Sequence, residues 1–131
     1  MNKNLEQIRA KNALELAKDL KLTKTESKRA PAMIMENGLL GALAFAQEKG
    51  GEKGGEMAKV MEACVAHWQS LTSGELQTGL TDSKVDLKEF SKEICECSAA
   101  ELRRRTEEIM AFLNYLRRYA KEGKETQGEK K

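Results

Sequence analysis

The sequence has little of what builds sheets or crosses membranes. Of its 131 residues only one is proline, and aromatic residues make up 5%. Aromatic side chains favour strands, and proline interrupts helices, so their scarcity favours an all-α fold. No apolar run approaches the ~18 residues of a membrane span. The first residues also lack the apolar stretch of a secretory signal, so we expect a cytoplasmic protein.

The chain also lacks a large net charge. It has 23 basic and 21 acidic residues, which gives a formal charge of +2. A globally basic nucleic-acid binder is therefore excluded, and any contact with RNA must come from local clustering of cations. A chain of this length forms one domain with one modest core. We assign a single compact helical domain to residues 1–122 and a polar tail to residues 123–131.

Cysteine and histidine are too few for an obvious metal or catalytic site. Cys64 and His67 lie three residues apart on one predicted helix, and Cys95 and Cys97 lie near the end of another. A C-x-C pair suits zinc less well than C-x-x-C, so we favour reduced thiols, no bound metal and no required disulfide over a zinc site. The sequence shows no acid to orient His67 as a base for Cys64. A position at the core edge beside Trp68 is the favoured interpretation, and nothing indicates an enzyme.

Hydrophobic periodicity predicts about six helices. The first runs from about residue 4 to residue 22, and a short turn over residues 25–29 follows. Pro31 is expected in the first turn of the next helix, where its missing N–H is harmless. Gly38 is expected to end or bend that helix before another begins at once. Gly41 is expected to allow the close approach of a neighbouring helix.

The middle of the chain is predicted to contain two helices between glycine-rich or polar connections. The glycine-rich residues 50–55 predict a flexible linker, since they lack the Gly-Lys-Ser/Thr end of a nucleotide-binding loop. A helix is expected over residues 56–71 and a loop over residues 73–83. A capping box of Asp86 and Glu89 then begins a short helix.

Two arginines fall among apolar residues where a charge is not expected. In the first helix, Arg9 lies in the apolar stripe between Leu5 and Leu16. In the last helix, Arg105 falls on the apolar face. Because an unpaired buried charge costs several kcal/mol, both need carboxylate partners. We predict that Arg9 is partly buried and paired with Glu108.

The last helix, SAAELRRRTEEIMAFLNYLRRYAK, is the most informative segment. Ser98 and Glu101 form a capping box at its start. The side opposite the apolar face carries a row of polar and basic residues about 27 Å long at ~1.5 Å per residue. We call this row the basic rail: Arg103, Asn114, Arg117 and Lys121, flanked by Arg104 and Arg118. Guanidinium groups on a rigid helix suit a phosphate backbone, although a solvated helix face is the alternative. Met110 is expected to be exposed on the same side.

Several strings together resemble one protein family. They are RAPAMI at residues 29–34, NGLL at 37–40, LAF at 43–45 and FLNYLRRYA at 112–120, with Leu5, Glu6, Arg9, Ala13, Thr106 and Glu108. In this order they resemble the small all-helical subunit of the type III-B CRISPR effector, the Cmr complex. The resemblance covers about half of the chain directly.

The resemblance implies a non-catalytic structural subunit that binds no cofactor and no metal. Members of this family stack on further copies of themselves and contact the large subunit and the repeated backbone subunit. They help form a groove that holds the target RNA against the guide RNA, and cleavage belongs to other subunits. Because base pairing with the guide reads the sequence, this subunit is expected to contact the RNA backbone and shape.

The predicted RNA-binding residues are cations on the last helix and before Pro31: Arg103, Arg104, Arg117, Arg118 and Lys121, with Lys28 and Arg29 as a weaker second cluster. Two other classes of function stay open. One is a freestanding helical nucleic-acid-binding or adaptor protein, although no recognition helix is evident. The other is an enzyme built around Cys64 and His67.

Overall fold

The described part of the chain is helical almost throughout. The computed structural model describes residues 4–53, 56–74 and 86–120. These ranges contain no strand and five helices: α1 (Leu5–Leu20), α2 (Lys24–Lys53), α3 (Glu56–Ser73), α4 (Leu87–Glu96) and α5 (Ala99–Tyr119). None of these five is long and apolar enough to cross a membrane. The all-α prediction is confirmed. The count is five rather than about six, because the two helical segments that meet at the bend at Gly38 are counted together as α2.

Side-chain caps determine where three of the helices begin. At α1, Asn4 accepts from the Gln7 N–H at 2.8 Å, and the Gln7 side chain accepts from the Asn4 N–H at 2.9 Å. At α5, the Ser98 hydroxyl accepts from the Glu101 N–H at 3.0 Å, as predicted. The Glu101 carboxylate bonds arginines instead of closing the capping box. Asp86 caps α4 by accepting from the N–H groups two and three residues later.

The first half of α2 differs from the prediction. The helix begins at Lys24, so the predicted turn at residues 25–29 is its opening and Pro31 lies in its interior. Without an N–H on Pro31, the carbonyl of Ser27 has no helical donor. Ser27 is also fully buried, and its hydroxyl has no partner among the described residues. At its other end α2 continues through residues 50–53, where a flexible linker was predicted.

Gly38 bends α2, as the sequence predicts. Its φ of 82° and ψ of 164° interrupt the helical geometry. That combination is essentially restricted to glycine. Gly41 has a different neighbour from the one expected, because a Cβ there would lie 2.8 Å from the Asn37 Cβ. Gly41 therefore makes room for a residue across the bend and not for a neighbouring helix.

Helix α3 forms the centre of the molecule. Eleven of its 18 residues are buried, and it packs against each of the other four helices. A helix that is apolar around most of its circumference is expected in such a position. From one side, α5 contributes four fully buried residues to the core: Ile109, Phe112, Leu113 and Leu116. The opposite side of α5, with the basic rail, faces outward.

Candidate nucleic-acid interface

The outward side of α5 presents most of the basic rail. Arg103, Arg104 and Arg118 are exposed, and Arg117 is half-buried. Lys121 lies outside the described residues. Between the positions of Arg103 and Arg118 the helix rises about 22 Å, at ~1.5 Å per residue. The described rail therefore has two arginines at each end, Arg103 with Arg104 and Arg117 with Arg118, and the exposed Asn114 between them.

Two predictions of exposure are wrong. Met110 is half-buried and packs against the core, because it lies one turn before the buried Leu113. Leu5 was assigned to the buried stripe of α1 but is 41% exposed. It lines a groove of about 370 Å³ together with Trp68 and Arg104, among other residues.

A carboxylate neutralises Arg104, one of the two arginines at the beginning of the rail. Arg104 Nη2 lies 3.0 Å from Glu101 Oε1, and its guanidinium lies 5.4 Å from the centre of the Trp68 ring. Glu101 also accepts from Arg105 Nε at 2.9 Å. The hydrogen bonds from Arg105 and Arg104 lower the pKa of Glu101, which stays ionised at neutral pH. A phosphate would have to compete with this carboxylate for Arg104.

The other rail arginines are not neutralised in this way. Arg103, Arg117 and Arg118 have no carboxylate partner among the described residues. Arg117 Nη2 donates to Asn114 Oδ1 at 3.2 Å, but this neutral acceptor leaves the positive charge uncompensated. Such guanidinium groups can bind phosphate oxygens without first breaking an ion pair.

The second predicted cluster has one free cation and one paired cation. Lys28 is exposed and has no carboxylate partner within the described ranges. Arg29 Nη1 lies 3.0 Å from Glu26 Oε1. Of the two, Lys28 is therefore the cation better able to bind an anion.

Lys24 connects this cluster to the rail through a contact that the sequence does not predict. Its Nζ donates to the carbonyl oxygens of Arg117 and Arg118, each at 3.2 Å. The first turn of α2 thus contacts the last turn of α5. No sequence pattern marks this contact, because the acceptors are backbone atoms more than 90 positions away.

A buried polar network joins α1, α3 and α5. Arg9 Nε and Nη2 donate to the two oxygens of Glu108 at 2.8 and 2.7 Å, which confirms the predicted pair. His67 Nε2 donates to Glu108 Oε2 at 2.8 Å. On the other side of the ring, Asn12 Nδ2 donates to His67 Nδ1, and it also donates to the Ser70 hydroxyl, each at 3.0 Å.

The predicted position of His67 at the edge of the core is wrong, and its hydrogen bonds leave it unable to act as a catalytic base. His67 is fully buried rather than at the core edge, and it stacks on Phe112 at 4.4 Å. Both ring nitrogens are bonded, so neither is available to activate Cys64. Burial raises the pKa of the Cys64 thiol, which stays protonated. Within the described ranges no group of three or more His, Cys, Asp or Glu residues could hold a metal ion.

Arg105 has the carboxylate partners that its position requires. Its Nε lies 2.9 Å from Glu101 and its Nη1 3.2 Å from Glu93. The guanidinium also lies 5.1 Å from the centre of the Trp68 ring and 5.4 Å from that of Phe90. Arg105 therefore joins α3, α4 and the beginning of α5, and it has a structural place distinct from the rail.

Comparison with known proteins assigns the chain to one group. A family model described as CRISPR-associated protein (Cas_Cmr5) matches residues 5–122. No curated protein and no solved structure matches the chain. The matched span contains all five helices and every residue of the basic rail.

Proposed function

The chain belongs to the Cas_Cmr5 family, the small subunits of the type III-B CRISPR effector, and we propose that it is a non-catalytic RNA-holding subunit of a cytoplasmic Cmr ribonucleoprotein. It stacks with further copies of itself and contacts the large subunit and the repeated backbone subunit. Along this stack it holds the target RNA against the guide RNA. The guide reads the sequence, and the subunit contacts backbone phosphates.

The observation that carries this proposal is the set of unneutralised guanidinium groups on the outward side of α5. Arg103, Arg117 and Arg118 lie on one helix whose opposite side is fixed in the core. The chain's overall charge is only +2, so this local arrangement must provide the attraction for RNA. Contacts of this kind are independent of base sequence and weaken with salt.

The candidate residues do not contribute equally. Arg103, Arg117, Arg118 and Lys28 make the main phosphate contacts, because each lacks a carboxylate partner among the described residues. We assign weaker contacts to the two arginines that are already paired with glutamates, Arg104 and Arg29. Lys121 belongs to the rail by its spacing in the sequence.

A non-catalytic role agrees with the state of the chain's single histidine. His67 is buried, and its two nitrogens are bonded to Asn12 and Glu108. It cannot act as a base without breaking the network that joins three helices. As the resemblance to the family implies, we assign the cleaving activities of the complex to other subunits.

The proposal is tested in the assembled complex with the double variant Arg117→Glu and Arg118→Glu. We expect target-RNA binding to weaken for several unrelated guide sequences, while assembly of the complex is unchanged. The matched control is Lys88→Glu with Lys92→Glu, which makes the same charge change at two exposed positions on α4. If the α5 variant instead assembles poorly but binds RNA normally once assembled, these arginines form a protein–protein surface and the proposal is wrong.

A further inference from the structure

The first turn of α2 and the last turn of α5 meet through one side chain. Lys24 Nζ donates to two consecutive carbonyl oxygens, those of Arg117 and Arg118, at 3.2 Å each. The last carbonyls of a helix have no partner within the helix and carry its negative partial charge. An ammonium group placed there bonds them and stabilises the final turn. The side chains on that turn include two of the unneutralised arginines.

The contact also places Lys24 of α2 against the turn of α5 that carries Arg117 and Arg118. Lys28 lies one turn after Lys24 on α2, so the two residues are on the same side of that helix. The acceptors of Lys24 are neutral carbonyls, so its positive charge is not cancelled by a carboxylate. We call these four residues the basic corner: Lys24, Lys28, Arg117 and Arg118. Within the described ranges none of the four is paired with a carboxylate.

We propose that the basic corner is one binding site for RNA backbone phosphates and that Lys24 is its positioning residue. By holding the last turn of α5 against α2, Lys24 fixes the directions from which Arg117 and Arg118 reach a phosphate. This inference rests on the proposed function, because it takes the rail arginines to be RNA contacts. It adds that their affinity depends on a lysine of another helix that forms no part of the rail.

The test is a double-mutant cycle measured as target-RNA affinity of the assembled complex. Lys24→Met removes both hydrogen bonds and the charge, and we expect about threefold to tenfold weaker binding. Lys24→Arg keeps donors and charge and is expected to bind nearly as well as the unchanged chain. In a background of Arg117→Ala and Arg118→Ala, adding Lys24→Met should weaken binding clearly less than it does in the unchanged chain. Lys92→Met, at an exposed lysine on α4, is the matched control and should have no effect.

Two results would overturn the positioning role. One is a full additional loss when Lys24→Met is combined with the two alanine substitutions, which means that Lys24 contacts phosphate independently. The other is a lowered melting temperature for Lys24→Met with unchanged RNA affinity, which means that the contact only stabilises the fold. Should Lys24→Met fail to assemble, Lys24→Gln replaces it in the cycle, since it keeps one donor without the charge.

The cycle also separates this inference from the proposed function. If Arg117→Ala with Arg118→Ala leaves RNA affinity unchanged, the rail is not an RNA contact and both proposals fail. If that pair weakens binding while Lys24→Met does not, only the positioning role of Lys24 is wrong.

Discussion

Arg9 and Glu108 are 99 positions apart in the chain, yet the sequence predicted that they pair. Arg9 lies in the apolar stripe of α1 and Glu108 at the edge of the apolar face of α5, and a charge in an apolar stripe needs an opposite charge. In the structure Arg9 Nε donates to Glu108 Oε2 and Arg9 Nη2 donates to Glu108 Oε1. The side chains are 24% and 9% exposed, so solvent screens the pair only in part.

Removing this arginine should therefore destabilise the fold. We expect Arg9→Ala to lower the free energy of unfolding by about 2–3 kcal/mol, because Glu108 stays buried without its bidentate donor. Arg29→Ala is the control, since its ion pair with Glu26 lies at the surface and should contribute under ~1 kcal/mol. Urea denaturation of both variants measures the difference. Equal and small effects would show that the Arg9 pair behaves like a surface ion pair.

His67 was the residue most poorly described by the sequence. Helical periodicity placed it near the core but could not name its partners, because Asn12, Ser70 and Glu108 come from separate parts of the chain. An asparagine on α1 gives no signal that it faces inward, since most asparagines are exposed. The buried network was therefore predictable only at its one unusual charge pair.

The same network makes stability depend on pH. Burial lowers the pKa of His67, and this outweighs the opposite effect of Glu108. The unfolded chain takes up a proton near pH 6.5 while the folded chain does not, so stability falls as the pH drops below that value. Burial alone would raise the pKa of Glu108, but hydrogen bonds from Arg9 and His67 lower it. Glu108 therefore adds a further loss of stability below about pH 4.5.

Melting temperatures between about pH 8 and pH 4 test this linkage. We expect a plateau near neutral pH and a decline that begins near pH 6.5. Because His67 is the chain's single histidine, His67→Gln should remove the decline between about pH 6.5 and 5 while lowering stability overall. A melting temperature that is constant from pH 7 to pH 5 would contradict a buried neutral imidazole.

The sequence predicted the start of a helix correctly where a side-chain cap marks it. Asp86 and Ser98 begin α4 and α5 as predicted, because a side-chain acceptor satisfies N–H groups only a few residues away. Pro31 failed as a signal for a helix start. Helix α2 buries Ala30 and Ile34 on either side of that proline, and tertiary packing outweighs the missing hydrogen bond. Local rules thus describe helix ends better than helix interiors.

Gly38 is the position of α2 at which the backbone conformation itself favours glycine. Gly38→Ala should lower the free energy of unfolding by about 1–3 kcal/mol, because a Cβ is disfavoured at φ 82° and ψ 164°. No atom lies within 4 Å of that Cβ, so the loss comes from backbone conformation and not from a clash. Asn37→Ala, at the exposed neighbouring position, should change stability by less than ~0.5 kcal/mol. If the two variants denature alike, the bend does not depend on glycine.

Across the molecule, the sequence predicted where the basic rail lies. It did not predict which of the rail arginines form ion pairs. Periodicity placed Arg103, Arg104 and Arg118 on the outer side of α5 correctly. It could not show that Glu101 neutralises Arg104 in preference to closing the capping box. It also could not bring Lys24 to the end of α5, because that contact depends on how whole helices pack. The free charges, more than the total charge, distinguish a phosphate-binding surface from a solvated one.

The number of free cations predicts how strongly RNA binding depends on salt. Four cations of the proposed RNA surface lack a carboxylate partner among the described residues: Lys28, Arg103, Arg117 and Arg118. At ~0.7 per contact with a single strand, the isolated chain should bind unstructured RNA weakly, with a log–log salt slope of about −3. Stacked copies on one RNA should bind more tightly and with a steeper slope, because each copy adds contacts to a strand already bound.

Anisotropy titrations with labelled single-stranded RNA between roughly 50 and 200 mM salt measure this slope. Arg117→Ala with Arg118→Ala should reduce its magnitude by about 1.4, since two contacts are lost. Lys88→Ala with Lys92→Ala removes the same charge from two exposed positions on another helix, α4, and should leave the slope unchanged. Changing the RNA sequence should not alter the affinity, because phosphate contacts carry no base information. A slope that does not respond to the arginine pair, or an affinity that follows base sequence, would mean that the rail is not the surface that holds RNA.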